Sequence, residues 1–112
     1  MVLDTMEIFA GGKAAVAYVT EEMLAKAGAK MEHTEGLINT LRGISGVEVA
    51  VFLKEGKEGA VKVSMRSKSY ANVSQLCQSH GGGGHVRASG CTLNMSMEDA
   101  MALVKKEVPG VL

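Results

Sequence analysis

Two short, mostly apolar runs open the chain and are separated by a pair of glycines. Met6–Ala10 and Lys13–Val19 flank Gly11 and Gly12. Two consecutive glycines readily adopt the positive φ angles of a two-residue hairpin turn. The pattern therefore predicts that the two runs pair as an opening β-hairpin.

Two helices are predicted after this hairpin. Thr20 is placed to cap the first helix, whose first turn carries two glutamates where the helix dipole favours negative charge, and Gly28 marks its end. The second helix is predicted to begin after Thr34 and to end at Gly43. Its buried face is predicted to contain Leu37, Ile38 and Leu41.

The middle of the chain contains two segments with the character of β-strands. Val47–Leu53 is apolar at nearly every position, which indicates a central strand covered on both faces. In Ala60–Arg66 the apolar residues Val61, Val63 and Met65 alternate with polar ones. One face of this strand is therefore expected to pack, and the other to offer hydrogen-bond donors.

A run of four glycines interrupts the last third of the chain. Asn72 and Gln75 have the spacing of a capping box for a short helix that ends at the glycines, Gly81–Gly84. A short helical turn is predicted to follow His85, and a strand is predicted over Cys91–Met95.

A final helix is predicted to begin after Ser96, which forms a second capping box with Asp99, and Pro109 prevents its continuation. Strands and helices thus alternate irregularly, with a hairpin first and paired helices between strands. The chain is predicted to be a single domain of the α/β (α+β) class. Its expected architecture is a mixed β-sheet with flanking helices and a glycine-rich loop.

Composition and charge narrow the classes of function. With 112 residues, of which 46% are hydrophobic, the chain has enough apolar material for one ordinary core. Twelve basic and twelve acidic residues give a formal net charge of zero. No overall positive field is available to hold a long nucleic acid. Any contact with nucleic acid is therefore expected to be short and local.

The apolar stretches and the cysteines bear on location. The apolar stretches are far shorter than the roughly 20 residues of a membrane-spanning helix, and the N-terminus lacks the basic-then-apolar layout of a signal peptide. Cys77 and Cys91 form no CxxC pair, and a domain with this core does not depend on a disulfide. We expect reduced thiols, a cytoplasmic location and no membrane partner.

The four glycines need an explanation because each costs conformational entropy on folding. Backbone without side chains could let N–H groups converge on a phosphate at the start of the helical turn predicted after His85. A tight turn, or close packing of backbone on backbone, would also explain them, and both interpretations stay open from spacing alone. No Lys-Ser or Lys-Thr follows the run, so it is not a P-loop.

Several polar residues could accompany the glycines in a phosphate site. His85 follows them directly and could donate to a phosphate oxygen or stack on a base. Arg66 projects from the polar face of its strand with Ser64, and Ser67 follows at the strand end. The planar fork of arginine matches phosphate bidentately. Each of these residues also has a purely structural interpretation, as part of a solvated strand or a helix start.

Metal chemistry is poorly supported by the sequence. The usual ligand types of zinc occur near the glycines, at Cys77, His80, His85 and Cys91, but these residues lack the tight paired spacing of structural zinc sites. Asp4 and Asp99 are the only aspartates. Neither a catalytic metal centre nor a cofactor is therefore expected in this domain.

Three strings of residues together resemble the DHH-associated domain of DHH-family phosphoesterases. They are SMRS at Ser64–Ser67, Asn72-Val73, and GGGGHVRASG at Gly81–Gly90. The resemblance extends upstream through Glu35–Glu55 and AVAYVT, so it covers nearly the whole chain. It implies that substrate phosphate or the base end is held by Ser64, Arg66, Ser67, Gly82, Gly83, Gly84 and His85.

The resemblance also implies a division between binding and cutting. In that family an N-terminal domain with an Asp-His-His motif binds manganese and cuts phosphodiester or phosphomonoester bonds, while the associated domain closes over the cleft. This sequence has no such motif. Residues 1–112 therefore correspond to the associated domain alone, and the isolated chain is expected to have no phosphoesterase activity.

The implied substrates are short RNA or DNA oligonucleotides or nucleotides, as for a nano-RNase or a phosphatase of 3′-phosphoadenosine 5′-phosphate. The implied partner is the catalytic DHH domain. A cyclic-dinucleotide phosphodiesterase or an exopolyphosphatase-like parent is an alternative. Alternatives of other classes are a stand-alone or alanyl-tRNA-synthetase-associated nucleic-acid-binding module and a purely structural dimerisation unit. Whether the chain forms a homodimer stays open.

Overall fold

A computed structural model describes residues 5–27, 34–56 and 59–112 of the chain. The predicted end of the first helix at Gly28 lies outside them. None of the described helices is long and apolar enough to cross a membrane. The elements, in chain order, are β1 (Glu7–Phe9), β2 (Ala14–Val19), α1 (Glu21–Ala27), α2 (Thr34–Arg42), β3 (Val49–Glu55), β4 (Val61–Ser67), α3 (Val73–Gln78), β5 (Gly83–His85), β6 (Ala88–Leu93) and α4 (Met97–Glu107).

The six described strands form one sheet in the order β1-β2-β3-β4-β6-β5. Neighbours pair antiparallel except β2 and β3, which are parallel. Parallel neighbours need a crossover connection, and α1 and α2 lie in this one. The predicted mixed sheet in a single α+β domain is confirmed.

Helices pack on both faces of the sheet, and β3 is buried between them as predicted. On one face Ile38 and Leu41 of α2 pack against β2 and β3, in a cluster that includes Ala15, Ala17, Ala50 and Phe52. On the other face α3 and α4 contribute buried residues to a larger cluster with the sheet, among them Val51, Leu53, Val63, Val73, Cys77 and Val104. The two faces of the sheet are therefore covered by different helix pairs.

The predicted hairpin and helix starts are confirmed, with one difference at the first turn. Gly11 and Gly12 do have positive φ, 66° and 90°, but Ala10 also has a φ of 55°. The connection is a four-residue loop over 10–13, in which Lys13 N donates to the carbonyl of Ala10 at 3.2 Å, rather than a two-residue loop. Side-chain oxygens accept the expected capping hydrogen bonds in the chain's helices: Met23 N to Thr20 Oγ1 at 3.1 Å, Gln75 N to Asn72 Oδ1 at 3.0 Å and Asp99 N to Ser96 Oγ at 3.1 Å.

The segment after α3 differs from the prediction. His85 ends a short strand, no helical turn follows it, and β6 begins at Ala88 instead of Cys91. The residues between the strands, Val86 and Arg87, form a tight turn. The helical prediction was wrong because pairing with β4 determines the conformation here. All of Ala88–Leu93 has partners on that strand, although its first three residues, Ala88, Ser89 and Gly90, are small.

Candidate functional site

The first two glycines of the run end α3 and pack against β6. Gly81 N donates to the carbonyl of Gln78 at 3.1 Å and Gly82 N to that of Cys77 at 2.9 Å. These are the two bonds of a Schellman motif, with Gly81 in the left-handed region at a φ of 81°. A Cβ on Gly82 would lie 2.2 Å from the carbonyl oxygen of Gly90. Helix termination and close packing therefore account for this half of the run.

The second half of the run is an edge strand. In β5, Gly83 pairs with Gly90, Gly84 with Ser89, and His85 with Ala88. The glycines thus leave a helix C-terminus and enter a strand, so the helix N-terminus on which the phosphate argument rested does not exist here. Anion binding at this place needs a different structural basis, and the face of the sheet supplies one.

Alternate residues of β4, β6 and β5 share one face of the sheet. On this side α1 and α2 cover β2 and β3, and α2 reaches as far as β4. The strand register places a set of small, polar and basic residues together beyond it. We name this set the open patch; it consists of Lys62, Ser64, Arg66, Ala88, Gly90, Thr92, Gly83 and His85. None of these residues is buried, whereas their neighbours on the opposite face of β4 all are.

Two rows of residues cross the open patch from β4 to β5. One row consists of Arg66, Ala88 and His85, and the other of Ser64, Gly90 and Gly83. Because neighbouring strands lie about 4.8 Å apart, the backbones of Arg66 and His85 are roughly 10 Å apart. Among the described residues of this row, Ala88 with its methyl group stands between them, and the row beside it contains two glycines. Between the two donor side chains, the described part of the face therefore carries only small side chains.

Contacts with backbone carbonyls of β4 and β6 hold the guanidinium of Arg66 close to the sheet. Nη1 donates to the carbonyl of Met65 at 2.9 Å and lies 3.5 Å from the carbonyl of Ser89. A guanidinium carries five N–H donors in a planar fork, which suits bidentate binding of phosphate. Arg66 thus lies on the polar face of β4 that the two-residue period predicted.

The turn between β5 and β6 directs its carbonyl groups into the protein. The carbonyl of Val86 accepts from Val73 N at 2.9 Å, and that of Arg87 from Ser67 N at 3.0 Å. In a trans peptide the N–H points opposite to the C=O. The N–H of Arg87 therefore points away from α3, to the side of the open patch. This backbone donor and the exposed side chain of Arg87 lie next to His85 and were not predicted from the sequence.

A buried carboxylate fixes the loop from β4 to α3. Glu48, only 6% exposed, accepts hydrogen bonds from the N–H groups of Ser69, Tyr70 and Ala71 at 2.9, 2.8 and 2.9 Å, and from the Ser69 hydroxyl at 2.8 Å. Burial raises the pKa of this carboxyl, but the hydrogen bonds outweigh burial and lower it to about 2. The loop begins at the end of β4 that carries Arg66, so Glu48 anchors the surroundings of the patch.

The structure separates the residues that the resemblance grouped. Ser64, Arg66, Gly83 and His85 come together in the open patch. Ser67 lies on the opposite face of β4, is 1% exposed, and its hydroxyl has no hydrogen-bond partner within the described part of the chain. Gly82 and Gly84 lie against β6, where added Cβ atoms would come within 2.2 and 2.7 Å of backbone oxygens.

Part of the patch was missed because the last strand was predicted to begin too late. Ala88, Gly90 and Thr92 alternate with the more buried Ser89 and Leu93. This two-residue period is the signal that would have placed them on one face. The motif Ala-x-Gly at Ala88 and Gly90 thus provides small residues of the open patch.

The residues considered for zinc do not converge. Cys77, His80 and Cys91 lie on the side of α3 and α4, where His80 Nε2 contacts Glu107 Oε1 at 2.5 Å. His85 projects to the open patch on the other face. Across residues 5–27, 34–56 and 59–112, no three His, Cys, Asp or Glu side chains form a group that could hold a metal ion.

The fold and the glycine hairpin place the chain in a known class. The family model described as the DHHA1 domain matches residues 11–109, and the chain belongs to this family. It is 34% identical to the bifunctional oligoribonuclease and PAP phosphatase NrnA of Thermus thermophilus, in a match that covers 96% of this chain and 33% of that protein. The chain thus spans about a third of the length of this relative.

Solved structures show the same fold in two contexts. An exopolyphosphatase-related protein from Bacteroides fragilis matches with a TM-score of 0.88 at 28% identity, over 97% of this chain and 32% of that one. The C-Ala domain of Aquifex aeolicus alanyl-tRNA synthetase matches with a TM-score of 0.61 at 16% identity, over 94% of this chain and 98% of that one. The second likeness is one of fold alone.

Proposed function

We propose that this chain is the substrate-binding domain of a DHH-family phosphoesterase, and that the open patch binds the phosphate and base end of a short oligonucleotide or nucleotide. The observation that carries the proposal is the position of Arg66 and His85, on one exposed face and on either side of the small residue Ala88. Arg66 binds phosphate with its planar fork. His85 donates to a second oxygen or stacks on the base.

The charge of the patch fits a substrate with few phosphates. Lys62 and Arg66 lie on it, and the residues that define it include no carboxylate, in a chain whose formal net charge is zero. Positive charge is therefore local. A surface of this kind neutralises one or two phosphates, whereas proteins that hold long nucleic acids make many such contacts.

Bond cleavage is assigned to a separate catalytic domain. The Thermus thermophilus and Bacteroides fragilis proteins are about three times as long as this chain, which leaves room in them for such a domain. Manganese bound there would supply the metal-activated water that attacks phosphorus, and the described residues here offer no group of ligands to hold it. In this proposal the chain binds and orients the substrate. Its proposed location is the cytoplasm.

Titration with a labelled 5′-phosphorylated diadenylate tests the proposal. We expect Arg66→Ala to weaken binding at least tenfold, about 1.4 kcal/mol, and Arg66→Lys to recover part of it because the charge remains but the fork is lost. His85→Ala is expected to weaken binding as well. The matched control is Lys106→Ala, which removes an exposed cation from α4 on the other face. Unchanged affinity in both the Arg66 and His85 variants would refute the proposal.

The dependence of binding affinity on ligand length and salt concentration distinguishes this function from its alternatives. For one or two phosphate contacts, log K should fall with log salt with a slope of about −0.7 per contact. We expect longer RNA to bind no more tightly per site than the dinucleotide. Tighter binding of a tRNA with a steep slope would instead support a nucleic-acid-binding module. Preference for tripolyphosphate over the dinucleotide would support an exopolyphosphatase-like parent.

A further inference from the structure

Two lysines lie directly opposite each other at one end of the open patch. The strand register pairs Lys54 of β3 with Lys62 of β4, and Lys62 in turn with Thr92 of β6. We name these three residues the lysine row. Lys62 and Thr92 are exposed, and Lys54 is half-buried. Because directly paired residues share a face of a sheet and alternate residues of one strand do so too, the lysine row lies on the same face as Arg66.

This pairing of two lysines destabilises the fold unless an anion accompanies it. Directly opposite residues of an antiparallel pair have Cβ atoms about 5 Å apart, and like charges there repel each other. Among the described residues, no carboxylate is in ion-pair contact with either lysine. The carboxylate next to Lys54 in sequence, that of Glu55, accepts from Glu21 N at 2.8 Å. The lysine row is therefore a concentration of positive charge that a bound anion would stabilise.

The lysine row and Arg66 occupy two ends of the same strand. Lys62 and Arg66 are four residues apart on β4, which corresponds to about 13 Å at a rise of about 3.3 Å per residue. Two backbone carbonyls hold the guanidinium of Arg66 at its own end. Ser64 and Gly90 form the pair between the two ends. The exposed face of β4 thus carries positive charge at two places, with small residues between them.

We propose that the lysine row is a second phosphate site, which takes another phosphate of the ligand whose first phosphate Arg66 binds. This inference rests on the proposed function. The two ammonium groups approach the phosphate from neighbouring strands, and the hydroxyl of Thr92 donates from a third. The ligand is a nucleotide or short oligonucleotide with two phosphates, joined through a ribose that lies over Ser64 and Gly90. A ligand with one phosphate occupies only the Arg66 end.

Titration with ligands that differ by one phosphate tests the second site. Adenosine 5′-monophosphate has one phosphate, whereas adenosine 3′,5′-bisphosphate and the 5′-phosphorylated diadenylate have two. Lys62→Gln should weaken binding of a two-phosphate ligand by at least about fivefold and that of the monophosphate by less than about twofold. For the two-phosphate ligand it should also reduce the salt slope by about 0.7. The matched control is Lys106→Gln on α4, which removes an exposed cation and should change no affinity.

The two-phosphate ligands distinguish the sources of the second phosphate. A selective loss with the diadenylate assigns the lysine row to an oligonucleotide, and a selective loss with the bisphosphate alone assigns it to a nucleotide. Equal losses for the one-phosphate and two-phosphate ligands, or no loss for either two-phosphate ligand, would overturn the second site.

Stability measured without ligand tests the repulsion between the lysines. A double-mutant cycle of Lys54→Gln, Lys62→Gln and the double variant isolates their interaction. Urea unfolding should show that this interaction is unfavourable at low salt. It should approach zero at about 1 M salt, where the screening length is about 3 Å. A favourable interaction at low salt would overturn the argument that the pair requires an anion.

Failure of the second site and failure of the proposed function give different results. If Lys62→Gln weakens binding of no ligand selectively while Arg66→Ala weakens binding of the monophosphate, the second site is refuted and the proposed function stands. If Arg66→Ala and His85→Ala leave the affinity for every ligand unchanged, the proposed function is refuted, and the second site with it.

Discussion

Replacement of Glu48 by glutamine should remove a large share of the stability of this domain. The carboxylate accepts four hydrogen bonds from Ser69, Tyr70 and Ala71, all at 2.8–2.9 Å. An amide presents an NH₂ group to some of these donors, which leaves them unsatisfied. The difference between the ordinary pKa of 4.5 and the value of about 2 in the fold corresponds to about 3 kcal/mol at neutral pH.

The same carboxylate predicts how stability depends on pH. Because folding lowers the pKa of Glu48, its contribution is fully present above about pH 5 and is lost as pH falls towards 2. The protonated carboxyl resembles the glutamine in that both place a donor among the backbone N–H groups. The free-energy difference between the native chain and Glu48→Gln should therefore be about 3 kcal/mol at pH 7 and shrink at low pH.

Urea denaturation at a series of pH values between 2.5 and 7 measures this difference. The matched control is Glu98→Gln, which neutralises an exposed carboxylate in the first turn of α4 and should change stability by about 0.5 kcal/mol or less. A difference for Glu48→Gln that stays constant over the whole pH range would refute the role of its charge. A difference below 1 kcal/mol at pH 7 would refute the magnitude.

Three further predictions concern the glycine hairpin and the strand beside it. Gly82→Ala should destabilise the fold by on the order of 3 kcal/mol, because its Cβ would meet a backbone oxygen at 2.2 Å. Gly36→Ala in α2 should instead stabilise the fold by about 0.5 kcal/mol, because its Cβ would meet nothing within 4 Å. Urea unfolding measures both differences. Ser67→Ala should leave diadenylate affinity unchanged and raise stability by up to about 1 kcal/mol, since the buried hydroxyl has no partner among the described residues; a loss of affinity would restore it to the site. In ¹H–¹⁵N spectra, the amide of Arg87 should shift on titration with the diadenylate, and should still shift in Arg87→Ala, because the backbone N–H is the donor; a shift that depends on the side chain would contradict this.

Most of the fold follows from periodicity, because burial on a sheet leaves a clear pattern. The continuous apolar run of β3 and the alternation of Val61, Val63 and Met65 in β4 predicted their environments correctly. The capping residues Thr20, Asn72 and Ser96 marked the helix starts, since they satisfy backbone donors through local bonds. These features depend only on near neighbours in sequence.

The conformation of the glycine segment was harder to predict, because glycine has no side chain and so gives no hydrophobic periodicity. The conformation of Gly83 and Gly84 is determined by pairing with β6, which is visible only after the sheet is assembled. For the same reason the sequence predicted a helical turn after His85, where the structure has the β5–β6 turn. The hydrogen bonds from Ser69, Tyr70 and Ala71 to the Glu48 carboxylate were also missed. These residues lie 21 to 23 positions from Glu48 in sequence, and no spacing rule connects them.

The order of strands has a consequence for how this domain opens. The open patch is built entirely from β4, β5 and β6, a continuous stretch of chain between residues 61 and 93, whereas the half of the sheet covered by α1 and α2 comes from the residues before it. Contiguous units of this kind can unfold locally while the rest of a protein stays folded. Substrate on the patch would then slow hydrogen–deuterium exchange mainly in β5 and β6. Binding would thereby stabilise the site against its own local unfolding.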